Sequence, residues 1–258
     1  MKLTIRGLRI RTSPACLLLL FFFLGSASVP ALHAQATSTH AGCLTQTRQQ
    51  IGHDLRWLWK GIERAPRNSL RPPNLEWELP IAAATGILIA SADAPASRRI
   101  QSPSLQRNAD RFSNVGMGLE LAAAGALYGV GCFSANRNSN DTPRQAGLAA
   151  LEAAGAASAF DLLLKAGTNR QRPTQDSGRG EFWEGGTSFA SSHAAASFAF
   201  AAVIAHRYPH NRWAKWGSYA AAAAVSLARF PAKKHFLSDI VVGGTLGYVT
   251  GTYLASSH

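Results

Sequence analysis

Three groups of residues in the C-terminal part of the chain have the types and spacing needed to hold an oxyanion and to attack it. They are a Lys–Arg pair, a Ser-Ser-His triplet and an Arg, His and Asp series: Lys165 and Arg172; Ser191, Ser192 and His193; Arg229, His235 and Asp239. Guanidinium groups bind phosphate oxygens through parallel hydrogen bonds, and an ammonium adds a compact positive charge. An imidazole can act as a nucleophile or exchange a proton with a leaving group. The set therefore predicts chemistry on a tetrahedral oxyanion.

The first group lies where a predicted helix gives way to a loop. Lys165 is near the helix end with Asp161 one turn before it as an ion-pair partner, and Arg170 and Arg172 follow in the loop. Taken alone, this group more often marks a solvated loop that places positive charge at a helix C-terminus.

The second group stands at a predicted helix start. Ser191 and Ser192 occupy the N-cap region before an Ala- and Phe-rich run, and His193 falls in the first turn. Free backbone N–H groups and the helix dipole make such a start an anion site. Taken alone, the pattern more often reflects an ordinary Ser cap with a surface His.

The third group spans the end of one helix and the start of the next. Pro231 breaks the preceding helix, and a new one is predicted to begin near Lys234. His235 and Asp239 are then four residues apart on one face, so the carboxylate can hold one ring N–H and leave the other nitrogen free to attack. Arg229 closes on the anion from the end of the preceding helix. Taken alone, a helix-surface His–Asp pair fits these residues better.

Together the three groups resemble the motifs of the type-2 phosphatidic acid phosphatase superfamily, which also includes bacterial class A acid phosphatases and vanadium haloperoxidases. The family patterns are K-x6-R-P, P-S-G-H and S-R-x5-H-x3-D. The matching positions in this chain are Lys165, Arg172 and Pro173; Ala190, Ser191, Ser192 and His193; Ala228, Arg229, His235 and Asp239. The motifs carry the resemblance over residues 145–255, and the helical pattern extends it back to residue 79.

Three positions differ from the family patterns. Ala190 stands in place of Pro, and Ala228 stands in place of a Ser that donates to the anion. Ser192 replaces a Gly whose backbone approaches the phosphate closely, and a side chain there costs free energy if the position needs a positive φ.

The resemblance implies a two-step phosphoryl transfer without a metal or any other cofactor. His235 attacks phosphorus and forms a phosphohistidine, Asp239 orients His235, and His193 protonates the leaving oxygen and then activates water. The groups implied to hold the phosphate oxygens are Lys165, Arg172, Ser191, the backbone N–H near Ser192 and Arg229.

The favoured substrate is a lipid-linked phosphate monoester or diphosphate, because the chain combines apolar helices, a Trp-bearing arm and a basic surface. A soluble, non-specific periplasmic acid phosphatase is the first alternative. A catalytically impaired bundle that binds phosphate or a lipid head group is the second, suggested by Ser192 and Ala228. A vanadium haloperoxidase is disfavoured because those chains are usually much longer than 258 residues.

The elements that must position these groups are helices. Ala and Leu dominate the apolar runs, and strand-like alternation is absent from the sequence. The sequence therefore predicts an all-α bundle of about six helices preceded by an amphipathic arm helix. The predicted helices lie near residues 79–92, 112–132, 144–166, 191–207, 212–229 and 235–255.

Three segments are predicted along the chain: a signal peptide (1–36), a basic amphipathic arm (37–75) and the helical domain (76–258). The signal peptide has four basic residues, an apolar run and a small-x-small cleavage site, so the protein is expected in the bacterial periplasm or cell envelope. Cys43 and Cys132 remain after cleavage, and they are either bridged or separate thiols. The arm helix either packs on the bundle or lies in a membrane interface.

Charge and hydropathy bear on the partners. Removal of residues 1–36 takes away four positive charges and lowers the net charge from +12 to +8. An anionic substrate or membrane surface is favoured over nucleic acid, because no long Lys/Arg tract occurs. The first apolar run is short for a membrane span, and Glu120, Glu152 and Asp161 interrupt the next two. We therefore expect a bundle outside the membrane that contacts it, although runs 112–132 and 235–255 are long enough to cross.

Overall fold

The structure is a computed structural model that describes residues 37–69, 71–133, 142–175 and 178–257. The predicted signal peptide, residues 1–36, lies outside the described residues. The predicted arm from residue 39 onward and the predicted helical domain fall within one compact unit, Thr39–His258.

The fold is all-α, as predicted, and within the described residues every regular element is helical. In chain order the helices are α1 (Thr37–Ser69), α2 (Pro72–Ile87), α3 (Asp93–Arg98), α4 (Pro103–Phe133), α5 (Thr142–Thr168), α6 (Ser192–Arg207), α7 (Arg212–Ala228) and α8 (Leu237–Ala255). A π-helical turn, Leu88–Ala92, joins α2 to α3.

The helix bounds agree closely with prediction for α5 to α8 and differ for α2 and α4. The first predicted helix covered residues 79–92, but helical backbone runs almost without a break from Pro72 to Arg98. Helix α4 begins at Pro103, well before residue 112. Both early starts place Pro in the first helical turn, where its missing N–H leaves no partner unsatisfied. The prediction followed the apolar residues and so left out the polar first turns.

The core is built from small side chains on helix α6. Ala195 and Ala199 of this helix are fully buried, and they pack with Phe200 and Val203 against α5 and α8. Alanine lets helix backbones approach closely. At Gly247 of α8 a Cβ atom would collide with the backbone of Ala195, so the two helices meet backbone to backbone there.

One end of the bundle gathers the four helix ends that carry the predicted site. Lys165, at the C-terminal end of α5, donates to the carbonyl of Ala190 at 2.8 Å. The backbone N–H of Ser191, which precedes α6, donates to the carbonyl of Asp239 in α8 at 3.1 Å. Helix α7 ends at this same end with Arg229 as its C-cap. The fold therefore brings the three sequence groups together.

The arm helix α1 packs on the bundle. The indole Nε1 of Trp57 donates to the carbonyl of Tyr253 at 3.3 Å, and the Tyr253 hydroxyl donates to the carbonyl of Trp57 at 3.0 Å. A disulfide joins Cys43 of α1 to Cys132 near the end of α4. Of the two interpretations that the sequence left open for each feature, the structure has the packed arm and the bridged cysteines.

Within the described residues, three helical segments are long and apolar enough to cross a membrane. They are Pro73–Arg98, Pro103–Phe133 and Thr142–Thr168, each with a mean hydropathy of 1.4. Two observations weaken the arguments for a bundle outside the membrane. The first segment has 26 residues, and Glu120 and Asp161 are buried within the bundle rather than displayed on its surface. These features favour association with a membrane.

We predict that the disulfide stabilises the fold. Replacing Cys43 with Ser should lower the free energy of unfolding by about 2 to 4 kcal/mol, because the unfolded chain loses a cross-link that closes a separation of 89 residues. Chemical unfolding of the wild type and of Cys43→Ser, each with and without a reductant, measures this change. The reductant should destabilise the wild type and leave Cys43→Ser unchanged, and equal effects on both would contradict the prediction.

Candidate active site

The guanidinium of Arg229 is held by hydrogen bonds at Nη1, while its Nε is available to a ligand. Its Nη1 donates to Asp110 at 2.9 Å, to Ser113 at 2.8 Å and to Asn114 at 3.2 Å, all on helix α4. Its Nε is buried, and among the described residues no atom accepts a hydrogen bond from it. A buried donor without a partner is costly, and a bound anion would supply the acceptor. Arg229 is thus placed to hold an oxyanion.

The start of helix α6 offers further donors. Ser191 is the N-cap, but its side chain does not cap the helix, and its buried hydroxyl has no partner among the described residues. The first N–H groups of a helix attract anions. Ser192 is the first helical residue and lacks a positive φ. The strain that would arise if this position required glycine is therefore absent.

Lys165 is held by three oxygen atoms. Its Nζ donates to the carboxylate of Asp161, to the carbonyl of Ala190 at 2.8 Å and to the hydroxyl of Ser192 at 2.8 Å. The Ser192 hydroxyl in turn donates to Asp161 at 2.5 Å. Lys165 therefore lies beside the helix start with its charge balanced by Asp161.

Arg172 lies in the loop between α5 and α6 and is half-buried. Its Nε donates to the Thr187 hydroxyl at 3.2 Å, and its backbone N–H donates to the Gln175 side chain at 2.7 Å. These bonds fix the loop and direct a third positive charge to the same end of the bundle as Lys165 and Arg229.

The imidazole of His235 is oriented by a backbone carbonyl. Its Nδ1 lies 2.7 Å from the carbonyl of Ser188, so this nitrogen carries the proton and Nε2 keeps a free lone pair. The expected hydrogen bond from the ring N–H to Asp239 is not made, because the nearest carboxylate oxygen is 3.8 Å from Nδ1. Burial lowers the pKa of His235, the carboxylate of Asp239 opposes this shift, and the positive charges of Lys165 and Arg229 add to it. The lowered pKa favours the neutral ring.

Asp239 orients His235 indirectly. One carboxylate oxygen accepts from the Ser188 hydroxyl at 2.6 Å and from the backbone N–H of Phe236 at 2.8 Å, and the other accepts from Arg170 at 2.6 Å. Burial opposes ionisation of this carboxyl, but its hydrogen bonds and the charge of Arg170 hold its pKa below the ordinary value. The carboxylate therefore fixes Ser188, whose carbonyl holds the ring.

Arg170 belongs to the scaffold of the site, although the sequence placed it in a phosphate-binding loop. Its guanidinium lies between the rings of Phe182 and Phe236, 4.8 and 4.5 Å from their centroids. It donates to Asp93 at 2.9 Å and to Asp239 at 2.6 Å. Sequence reasoning missed Asp93, which lies far upstream on α3 and belongs to none of the three groups.

His193 faces helix α4. Its Nε2 lies 2.8 Å from the side-chain oxygen of Asn114. Burial, followed by the positive charge of Arg229 and by His235, lowers the pKa of His193 to about 3. A bound phosphate dianion would oppose this shift, because a nearby negative charge favours the protonated ring. Sequence reasoning also missed Asn114, whose only signal was a polar cluster with Asp110 and Ser113 at helical spacing.

The site is suited to an anion. In the part of the chain that the structure describes, no three His, Cys, Asp or Glu side chains are grouped so as to hold a metal ion. The donors at this end come instead from cationic side chains, hydroxyls and a helix start. Such a set matches the oxygens of a phosphate group, and it places a neutral imidazole beside them.

We predict that Arg170 makes a large contribution to the free energy of unfolding. Arg170→Gln should lower the free energy of unfolding by about 3 to 5 kcal/mol, because it leaves two buried carboxylates without their partner. Arg179→Gln is the matched control, since Arg179 forms an exposed pair with Glu181 and should change stability by less than about 1 kcal/mol. Chemical unfolding of the three proteins measures both changes, and equal losses in the two variants would refute the prediction.

The comparisons with known proteins give one sequence match and two structural likenesses. No curated protein matches the chain. Among solved structures it is similar to LpxE from Aquifex aeolicus, with 21% identity and a TM-score of 0.46, over 62% of this chain and 93% of that one. It is also similar to a transmembrane PAP2 type phosphatidylglycerolphosphate phosphatase from Bacillus subtilis, with 18% identity and a TM-score of 0.48, over 69% of this chain and 94% of that one.

The family assignment comes from sequence. Residues 146–258 match the PAP2 superfamily, and the matched stretch contains all three residue groups and the helix ends that bring them together. It begins in helix α5 and extends through α8, so it includes Lys165, both histidines and Asp239. The predicted resemblance to this superfamily is therefore confirmed by a match over residues 146–258.

Proposed function

We propose that this protein is an exported phosphatase that hydrolyses phosphate monoesters or diphosphates through a phosphohistidine on His235. The observation that carries the proposal is the fixed orientation of His235 beside a cluster of anion donors. Its Nδ1 is held 2.7 Å from the Ser188 carbonyl, which leaves Nε2 as the free nucleophile. The donors on Arg229 and Ser191, which have no partner among the described residues, supply the place for the phosphate.

The first chemical step transfers the phosphoryl group to His235. The Nε2 lone pair forms a bond to phosphorus, and the bond from phosphorus to the leaving oxygen breaks. His193 gives its proton to that oxygen, so the product leaves as an alcohol, or as a phosphate when the substrate is a diphosphate. The proton on Nδ1 of His235 stays on that nitrogen and donates to the Ser188 carbonyl throughout the reaction.

The second step releases inorganic phosphate. His193, now neutral, accepts a proton from a water molecule whose oxygen attacks phosphorus, and the bond to Nε2 of His235 breaks. Negative charge on the transferring group is stabilised in both steps by Arg229, by the Ser191 hydroxyl and by the N–H groups at the start of α6. Lys165 and Arg172 add positive charge on the α5 side.

We assign a lipid-linked phosphate as the substrate class. Apolar side chains are exposed next to the site: Phe112 and Val115 flank Asn114 on α4, and Leu162 and Leu163 follow Asp161 on α5. An exposed apolar surface beside an anion site suits a molecule with a phosphate head and a hydrocarbon tail. The three long apolar helical segments support the same assignment.

Export is supported by the disulfide. Cysteine bridges persist in the periplasm and outside the cell and are rare in the cytosol. Cys43 and Cys132 are joined in the structure, and the sequence predicts a signal peptide before them. We therefore place the protein in the bacterial periplasm or cell envelope, in contact with the membrane.

A bundle that binds phosphate without hydrolysing it is the second candidate. The observation that favours it is the ammonium of Lys165, whose three hydrogens are all engaged by protein oxygens. Release of phosphate from p-nitrophenyl phosphate, with His235→Ala as the control, separates the two functions. Hydrolysis by the wild type alone supports the enzyme.

We predict hydrolysis without a divalent metal and inhibition by orthovanadate. The reaction should continue in EDTA, because the anion donors of the site are protein groups. Vanadate adopts the trigonal-bipyramidal geometry of the transition state and should bind the same donors. Initial rates with EDTA, with added Mg²⁺ and with millimolar vanadate measure both effects. Complete loss of activity in EDTA that Mg²⁺ restores, or insensitivity to vanadate, would count against the mechanism.

We predict different roles for the two histidines. His235→Ala should abolish the covalent intermediate with every substrate, because the nucleophile is gone. His193→Ala should slow alkyl phosphates much more than p-nitrophenyl phosphate, whose leaving group departs readily as an anion. Rapid-quench trapping of an acid-labile phosphoenzyme, together with kcat/KM for both substrates, checks each role. An intermediate that persists in His235→Ala and disappears in His193→Ala would reverse the assignment.

The same substrate pair supplies a pH control for His193. The acid must carry its proton, so the ratio of kcat/KM for the alkyl ester to kcat/KM for the nitrophenyl ester should fall as pH rises through its pKa. The two phosphate groups also ionise, and the pH dependence from that source is the same in the wild type and in His193→Ala. In His193→Ala only this contribution should remain, and a ratio that varies with pH as in the wild type would assign the proton to another group.

A further inference from the structure

We propose that the Ser192 hydroxyl competes with the substrate phosphate for Lys165 and so weakens phosphate binding. The proposal rests on the proposed function, because it concerns the same anion site. It explains what Ser does at a position where the resembling family has Gly. The hydroxyl occupies one hydrogen of the ammonium that would otherwise point to a phosphate oxygen.

The inference rests on the number of hydrogen bonds that the Lys165 ammonium already donates within the protein. An ammonium has three N–H donors. In this chain they go to the Asp161 carboxylate, to the Ala190 carbonyl and to the Ser192 hydroxyl. No hydrogen is left for a ligand, although the Lys165 side chain is 10% exposed and lies beside the helix start that offers the other donors. One of the three protein partners must move before Lys165 can donate to phosphate.

Ser192 is the partner that can be exchanged. Asp161 lies one helical turn before Lys165 and is fully buried, and the Ala190 carbonyl belongs to a buried backbone segment. Ser192 is half-buried and stands in the first turn of α6. An oxyanion seated on the N–H groups of that turn would approach Lys165 from the side that the hydroxyl now occupies.

The Ser192 hydroxyl is itself held in place. It donates to Asp161 at 2.5 Å while it accepts from Lys165 at 2.8 Å. Both its donor and one of its acceptor sites are therefore used within the protein, and the hydrogen points away from the phosphate site. Displacement by a ligand costs the bond between Ser192 and Lys165, a hydrogen bond to a charged group.

The test compares orthovanadate binding by the full-length mature protein and its variants. Ser192→Ala removes the hydroxyl and keeps the Cβ atom, whereas Ser192→Gly removes both. Each should bind vanadate roughly tenfold more tightly than the wild type, because one N–H of Lys165 becomes available. Ser192→Thr keeps a hydroxyl and should bind as the wild type does. Ser197→Ala is the matched control, since Ser197 lies deeper in α6 and is fully buried.

Binding is measured by calorimetry, and thermal unfolding of each variant verifies that it is folded. Tighter binding in both Ser192→Ala and Ser192→Gly, with Ser197→Ala unchanged, supports the proposal. Unchanged or weaker binding in Ser192→Ala overturns it and assigns the hydroxyl as a phosphate donor. Tighter binding in Ser192→Gly alone also overturns it, because the Cβ atom rather than the hydroxyl would then be responsible.

Wild-type hydrolysis is measured in parallel. If the wild type hydrolyses phosphate esters and the Ser192 variants bind vanadate no more tightly, the competition is refuted while the phosphatase stands. If the variants bind more tightly and none hydrolyses any ester, Ser192 competes at an anion site that is not catalytic.

Discussion

The buried guanidinium of Arg170 is the interaction on which the site depends. Two carboxylates, Asp93 and Asp239, would be strongly destabilising in this interior without a paired cation, and Arg170 bonds to both. Its plane is further enclosed by the rings of Phe182 and Phe236. Arg170 is connected to His235 through two further hydrogen bonds. Asp239 accepts from the Ser188 hydroxyl, and the Ser188 carbonyl accepts from the His235 ring. The ring of His235, the proposed nucleophile, is thus oriented by a network whose central charge is buried.

The meeting of three distant sequence groups could be predicted because of how antiparallel helices alternate. One helix ends just after Lys165, the next starts after Ser191, the third ends before Arg229 and the fourth starts after His235. Because the chain reverses between successive helices, these four ends lie together. The remaining parts of the site could not be predicted, for two physical reasons. Asp93 and Asn114 come from helices whose pairing with the site depends on tertiary packing, and the polar cluster around Asn114 does not by itself indicate which helices it faces. The bond that holds His235 uses a backbone carbonyl, which every residue has and no sequence pattern marks.

Charges within apolar helices have a different meaning in the structure than in the sequence. Counted along the chain, Glu120 and Asp161 interrupt apolar runs and argue against insertion into a membrane. In the fold both are buried against neighbouring helices, and Asp161 is paired with Lys165. The outward faces of these helices carry exposed apolar side chains such as Leu119 and Leu163. A sequence window averages the two faces, whereas a lipid contact depends on the outer face alone.

The disulfide limits how deeply helix α4 can insert into a membrane if the site is to face the oxidising compartment. Asn114 and Cys132 lie on the same helix, α4, and a rise of 1.5 Å per residue places them ~27 Å apart. That distance is close to the ~30 Å thickness of a bilayer's hydrocarbon core. If α4 crossed a membrane, the bridge and the site would face opposite compartments, and the bridge requires the oxidising one. The proposed exported phosphatase therefore requires that the apolar faces contact the membrane without carrying Asn114 and Cys132 to opposite sides.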